Sequence, residues 1–197
     1  MVNRRTVLKI GATALTGTVV NVPVFQHAAS TRPHDALQRA VFDDRFAECQ
    51  AFATKLESAG AVTSAVRGDV AKLWYEDLRA SLSNKKRALL AGLTDRPALF
   101  CLEELARDVG MRVIFRADHI TEQNGHTQHA AVGLASLVAV ARNLPQENGF
   151  GRAVAALFSQ FDFSGLNIIG AGDTSAQKRT GPFSPENKTA LVSWLIA

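Results

Sequence analysis

Ala88-Leu89-Leu90-Ala91-Gly92-Leu93-Thr94-Asp95-Arg96-Pro97 is the stretch whose reading decides the fold. Residues 88–93 form an apolar run that reads as a strand. Thr94-Asp95-Arg96-Pro97 then reads as a helix start, with a capping residue followed by an early proline. Behind it Leu99, Leu102, Leu105, Ala106 and Val109 recur at helical spacing and are predicted to face the core. Gly110 stops that helix, and residues 111–115 read as a further strand.

Upstream, the same rhythm holds. Residues 40–42 read as a strand ended by Asp43-Asp44-Arg45, and Phe46, Cys49, Ala53 and Leu56 then mark one face of a helix. Gly60 ends it, and residues 62–66, rich in β-branched side chains, read as the next strand. Asp69 is placed as the cap of a second helix that carries Leu73, Trp74 and Leu78 inward. Strand and helix alternating in this way predict an α/β fold: a small three-layer domain with a mainly parallel sheet and right-handed crossovers, its βα units spanning residues 37–120.

Downstream the pattern loosens, and a helical C-terminal part is expected. Residues 130–144 are apolar on nearly all sides and read as a buried helix, too short to span a bilayer. Pro145-Gln146-Glu147-Asn148-Gly149 is a break, and residues 152–161 read as another helix. Ile168-Ile169 reads as a late strand, residues 170–185 as a polar loop, and residues 191–196 as a closing apolar strand or helix.

The N-terminus, Met1-Val2-Asn3-Arg4-Arg5-Thr6-Val7-Leu8-Lys9, resembles the head of a twin-arginine export signal. Arg4, Arg5, Leu8 and Lys9 match its pattern, and a mild apolar run diluted by Gly11, Thr13, Thr16, Gly17 and Thr18 follows. The resemblance covers residues 1–29 and leaves residues 30–197 as one domain, which matches no family by its motifs. It implies engagement of the twin-arginine machinery, a periplasmic address, and folding in the reducing cytoplasm before export. A retained N-terminal anchor is the competing reading, and no permanent span is expected because the run is diluted by Gly, Thr and Asn.

Without residues 1–29 the charge reads differently. Of the 22 Lys and Arg, the segment holds Arg4, Arg5 and Lys9, and it holds none of the 18 acids, which leaves 19 basic against 18 acidic residues. No clustered basic face remains for nucleic acid; Lys85-Lys86-Arg87 is the one basic run and reads as a solvated helix end. Two cysteines, Cys49 and Cys101, are too few for a disulfide scaffold. Both fall on apolar helical stripes, so burial is expected of each, with a late disulfide as the alternative.

Ligands of parallel sheets bind beyond the carboxyl ends of the strands. Those ends carry Asp43, Asp44 and Arg45; Arg67, Gly68 and Asp69; Thr94, Asp95 and Arg96; and Arg116, Asp118 and His119. From these, Asp43, Arg45, Arg67, Asp69, Thr94, Arg96 and Arg116 are the candidate ligand-binding residues. Arginines can clamp a carboxylate or phosphate with paired donors, and helix starts behind Asp69 and Asp95 add backbone N–H groups. The plainer account is that the acids cap helices and the arginines pair with them. His119, His126 and His129 lie close in sequence, but their spacing fits no known metal pattern, so neither a metal nor a cofactor is expected.

Gly170-Ala171-Gly172 and Gly149-Phe150-Gly151 fall short of a dinucleotide loop, and no nucleophile elbow or phosphate-binding Gly-Lys-Ser/Thr loop occurs. Trp74, Tyr75 and Trp194 are expected in core packing. The functional expectation is an exported accessory or ligand-binding protein without catalytic motifs, in the periplasm, with a protein partner such as a periplasmic oxidoreductase or a small anionic ligand. The alternative is a small enzyme acting on an anionic substrate, with His119 as general base oriented by Asp118.

Overall fold

Apolar runs bounded by capping acids and glycines produce alternating strands and helices in the computed structural model. It describes residues 37, 39–67, 69–83, 88–161, 163 and 188–197, and the backbone of 174–176. The chain order is β1 (Arg39–Asp43), α1 (Ala47–Ser58), β2 (Val62–Val66), α2 (Ala71–Leu73), a π-helical turn (Trp74–Leu78), α3 (Arg79–Ser83), β3 (Leu90–Thr94), α4 (Arg96–Arg107), β4 (Val113–Thr121), β5 (Thr127–Gly133), α5 (Ala135–Ala141), α6 (Phe150–Gln160), β6 (Thr174–Ala176) and β7 (Thr189–Ile196). The expected export signal at residues 1–29, the expected strand at Ile168-Ile169, most of the expected loop at 170–185 and the basic run at 85–87 lie outside the described residues.

The strands form one mixed sheet in the order β2-β1-β3-β7-β4-β5-β6. β1 pairs in parallel with both β2 and β3. From β3 onward the pairings are antiparallel. The α/β class therefore stands, but the expected mainly parallel sheet is corrected to one that is parallel at one end and antiparallel at the other. β7 makes the difference. Six of its eight residues are buried, and it enters between β3 and β4 rather than closing an edge.

Helices cover both faces. Cys49, Phe52 and Leu56 of α1 pack with Leu137 and Val138 of α5 and with Val154 and Phe158 of α6 on one face. Trp74, Leu78 and Leu82 pack with Leu99, Leu102 and Ala106 of α4 on the other. β7 feeds both layers by strict alternation: Leu191 and Leu195 join the first, Val192, Trp194 and Ile196 the second. Two close approaches depend on glycine. A Cβ at Gly92 would stand 2.0 Å from the Trp194 indole, which lies over the backbone of β3. One at Gly151 would stand 2.0 Å from the Glu48 carbonyl oxygen, where α6 meets α1.

The helix starts follow the expected chemistry in part. Asp95 caps α4 by accepting from Ala98 N–H at 2.9 Å, and Pro97 sits in the first turn. Asp69 accepts from Ala71 N–H at 3.0 Å, although the N-cap of α2 is Val70. Gly110, at φ 80°, ends the turn after α4.

Two expectations beyond α4 are corrected. The buried helix at 130–144 is in fact the end of β5 followed by α5. Gly133 divides them with φ 131°, and a Cβ there would meet the Ile114 carbonyl oxygen at 2.4 Å. An apolar run carries no period that tells a buried strand from a buried helix, which is why the two were fused. The fourth strand runs to Thr121 rather than stopping at Phe115, because β5 folds back on it as a hairpin around Asn124-Gly125.

Candidate functional site

α1 leaves β1 on one face of the sheet, and α4 leaves the adjacent β3 on the other. Diverging crossovers of this kind open a crevice at the carboxyl ends of the two strands. Asp43 closes β1 there and is completely buried. It accepts from the Arg45 backbone N–H at 3.1 Å and from Arg45 Nε at 2.8 Å. Arg45 Nη2 also donates to Asp95 Oδ2 at 2.6 Å, so one guanidinium ties the end of β1 to the cap of α4. Hydrogen bonds to Asp43 and then Asp95 push the Arg45 pKa above its ordinary value, so this cation is permanent.

The neighbouring arginines are paired as well. Arg67 Nε donates to Asp44 Oδ1 at 2.9 Å and Oδ2 at 3.0 Å, which raises the Arg67 pKa. Asp118 receives Arg96 Nε at 3.1 Å on one oxygen and Arg116 Nη2 at 3.3 Å on the other. The Arg96 approach to Asp118 Oδ1 is an ion pair without hydrogen-bond alignment. Thr94 Oγ1 accepts from Trp194 Nε1 at 3.1 Å and donates to the Asp95 carbonyl, so it serves the core.

The structure thus brings Asp43, Arg45, Thr94, Arg96, Arg116 and Asp118 to one side of the sheet around β1, β3 and β4, with β7 between the last two. Register places Thr94 opposite Val192 and Val192 opposite Asp118, so Asp118 stands level with the end of β3. Arg116, expected just past the fourth strand, lies two residues further back within β4, opposite Trp194. Asp69 stands apart at the start of α2, on a local backbone contact.

His119 does not meet Asp118. The two are consecutive on β4, so their side chains leave opposite faces of the sheet. His119 lies with Phe115 and Ala117 on the α1/α6 side, completely buried, its ring stacked on Phe150 at 4.7 Å between centroids. The general base oriented by Asp118 is therefore corrected. What orients His119 is His129, directly opposite on β5, with Nδ1 to Nδ1 at 2.7 Å. His119 Nε2 lies 2.8 Å from Ser193 Oγ of β7, and His129 Nε2 lies 2.8 Å from the Pro145 carbonyl oxygen.

Only one set of neutral tautomers satisfies that chain. The Pro145 carbonyl can only accept, so His129 carries its proton on Nε2 and accepts on Nδ1. His119 then donates from Nδ1 and accepts on Nε2 from the Ser193 hydroxyl. A serine beside an oriented histidine is the outline of an acyl-transfer site. Here both are sealed, and Ser193 sits between paired neighbours in mid-strand, so no substrate carbonyl reaches it. His126 stays in the hairpin turn, and among the described residues no group of three or more His, Cys, Asp or Glu is placed to hold a metal.

The cysteines diverge. Burial pushes the Cys49 thiol up to about 12, which removes it as a nucleophile at neutral pH. Cys101 is exposed on α4, on the opposite helical layer, and both are free. Burial of Cys101 and the alternative disulfide are both corrected.

On the α1/α6 side, a groove of about 610 Å³ runs between α1, α6 and the ends of β4, β5 and β7, bordered by Phe46, Thr121, Phe150 and Leu191. Glu48 reaches across it from α1 to accept from Gly149 N–H at 2.6 Å and Gly151 N–H at 2.7 Å, capping α6. Sequence reading missed this groove, Ser193 and the His119–His129 pair. The Asn124-Gly125 turn was the available signal for the pair, since it sets the hairpin register; none pointed to Ser193, 74 positions from its partner. Among the described residues no helix is long and apolar enough to cross a membrane. No protein-family model, no curated protein and no solved structure matches the chain.

Proposed function

We propose that this chain is an exported, non-catalytic α/β domain that binds an anionic ligand, or an acidic patch on a periplasmic partner protein, at the carboxyl edge of its parallel strands. The observation that carries the reading is the state of the arginines there. Arg67 spends only Nε on Asp44, and Arg116 is held to Asp118 by Nη2 alone. Both side chains are largely or half exposed, at 78% and 48%. Each guanidinium has five N–H donors, so among the described residues both are oriented by a carboxylate and keep further donors without a partner. Arg45 is different: its contacts to Asp43 and Asp95 make it a fastener between β1 and α4.

Binding is tested by titrating the protein with inorganic phosphate and with citrate. β2 and β4 stand four strands apart, about 19 Å, so a small anion meets one of the two arginines: one of Arg67→Ala and Arg116→Ala is expected to weaken it about tenfold, the loss of one charge-assisted hydrogen bond, and the other to leave it unchanged. No binding of either anion together with purification free of any stoichiometric partner defeats the reading. A stoichiometric partner without anion binding favours the protein-docking form of the site.

Export rests on Arg4-Arg5 and the apolar run behind them. Changing both to lysine is expected to leave the protein in the cytoplasm. Normal periplasmic yield of the double-lysine form contradicts the assignment, whatever the ligand.

A further inference from the structure

We propose that the chain Ser193–His119–His129–Pro145, buried at its serine end and half-exposed at its proline end, is an acid-labile latch: at neutral pH it fastens the segment before α6 to the sheet, and protonation releases that segment and α6 together. The geometry supplies the mechanism. His119 and His129 meet nitrogen to nitrogen at 2.7 Å, a contact that holds one proton and no more. One added proton can enter at His119 Nε2, which turns the Ser193 hydroxyl into an acceptor, while the shared proton passes to His129 Nδ1; the hydrogen bonds survive, but the charge then lies on a half-buried ring packed against Phe150. A second proton sets two N–H groups against each other and leaves a charge on the completely buried His119. The acid form is therefore better accommodated once His129 has left the site and met water.

Among the described residues nothing nearby offsets such a charge. On β4 the adjacent Asp118 faces the other side of the sheet, paired with Arg96 and Arg116. On β5, Thr127 is hydrogen-bonded to Thr121, and His126 in the turn opposes a charge on His129. β7 offers Ser193 and, at its start, Lys188 paired with Glu122. From α1, Glu48 is committed to the amides of Gly149 and Gly151. α6 presents Phe150 to both rings, with Arg152 exposed beyond it, and Glu147 is exposed in the preceding segment. Burial, and then the neighbouring His129, hold the His119 pKa well below its ordinary value. Burial also lowers that of His129, against the Pro145 carbonyl and with help from His126.

The sign follows. Both rings bind protons less readily when latched than when free, so the latch is at full strength above the ordinary imidazole value of about 6.5 and is lost as pH falls below it. Each proton taken up on release shifts the opening equilibrium by about tenfold per pH unit, and two by about a hundredfold. What the latch holds is specific: Pro145 and, next to it, Gln146, whose carbonyl accepts from Thr127 N–H. α6 follows directly, and its release uncovers Phe150 and Phe158.

The test uses the full chain and reads amide exchange, as protection factors, together with the imidazole NMR signals from pH 7.5 to 5. Protection of Val154, Ala155 and Phe158 is expected to fall more than tenfold between pH 6.5 and 5.5, with Val41 of β1 and Ala91 of β3 changing far less. The His119 and His129 signals are expected to stay those of neutral rings down to the pH at which the α6 protection falls. His129→Gln keeps an acceptor for His119 and a donor for Pro145 without the basic site, and its α6 protection should fall no more than tenfold over the same unit. An unchanged α6 at pH 5, or equal losses in α6, β1 and β3, overturns the latch. So does a His129→Gln protein as steep as the parent. If that variant does not fold, the parent's exchange pattern decides alone.

Discussion

Trp194→Ala is expected to lower the unfolding free energy by about 3–5 kcal/mol, the cost of emptying a large aromatic site in a packed core. Few natural domains hold more than about 5–15 kcal/mol in total, so the variant should be marginal or unfolded at 37 °C. Three features put Trp194 at the top of the range. The side chain is completely buried. Its indole fills the space that Gly92 leaves open on β3, so no neighbour can move in by a simple rotamer change. Its Nε1–H donates to Thr94 Oγ1, whose hydroxyl is left in the core when the ring is removed. Urea unfolding followed by circular dichroism measures it. A loss under about 1 kcal/mol would show that the layer between the sheet and α4 does not depend on this ring.

Leu102→Ala should cost about 2–5 kcal/mol, by the same reasoning applied to an aliphatic side chain. Leu102 is completely buried on α4, in the layer that Trp194, Val192 and Ile196 share. Because α4 connects β3 to β4 across β7, the cavity opens where the parallel and antiparallel parts of the sheet join. An unfolding midpoint identical to that of the parent would contradict the placing of residues 88–116 as strand, helix and strand. The two sites share one cluster, so the double variant should lose less than the sum of the singles.

Residues 39–110 were legible because each element carries its own punctuation. Asp95 and Pro97 open α4, Gly60 and Gly110 close the helices before β2 and β4, and the buried positions of α1 and α4 repeat at three and four. Beyond Gly110 the determinants are non-local. β7 is an apolar run that reads equally as strand or helix, and only its partners on β3 and β4 place it in mid-sheet. The reversal after β4 did have a local sign in Asn124-Gly125, and taking it as the hairpin would have put His119 opposite His129. For the carboxyl edge, sequence located the arginines but not their company. That Arg45, held to Asp43, also reaches Asp95 50 positions away follows from β1 lying beside β3, a pairing that no spacing along the chain encodes.

The position of β7 also sets a timetable for synthesis. Trp194 meets Thr94 across 100 positions of chain. A nascent polypeptide that has emerged from the ribosome through α6 already holds β2-β1-β3 and the β4–β5 hairpin, but each presents an open edge with nothing between them. Those edges are the inner ones, flanked by buried apolar side chains, and they close only when β7, made after α6, slides in. The sheet therefore closes only after the ribosome has passed well beyond β3 and β4, and the interval favours a chaperone that shields strand edges over one that waits for a finished domain.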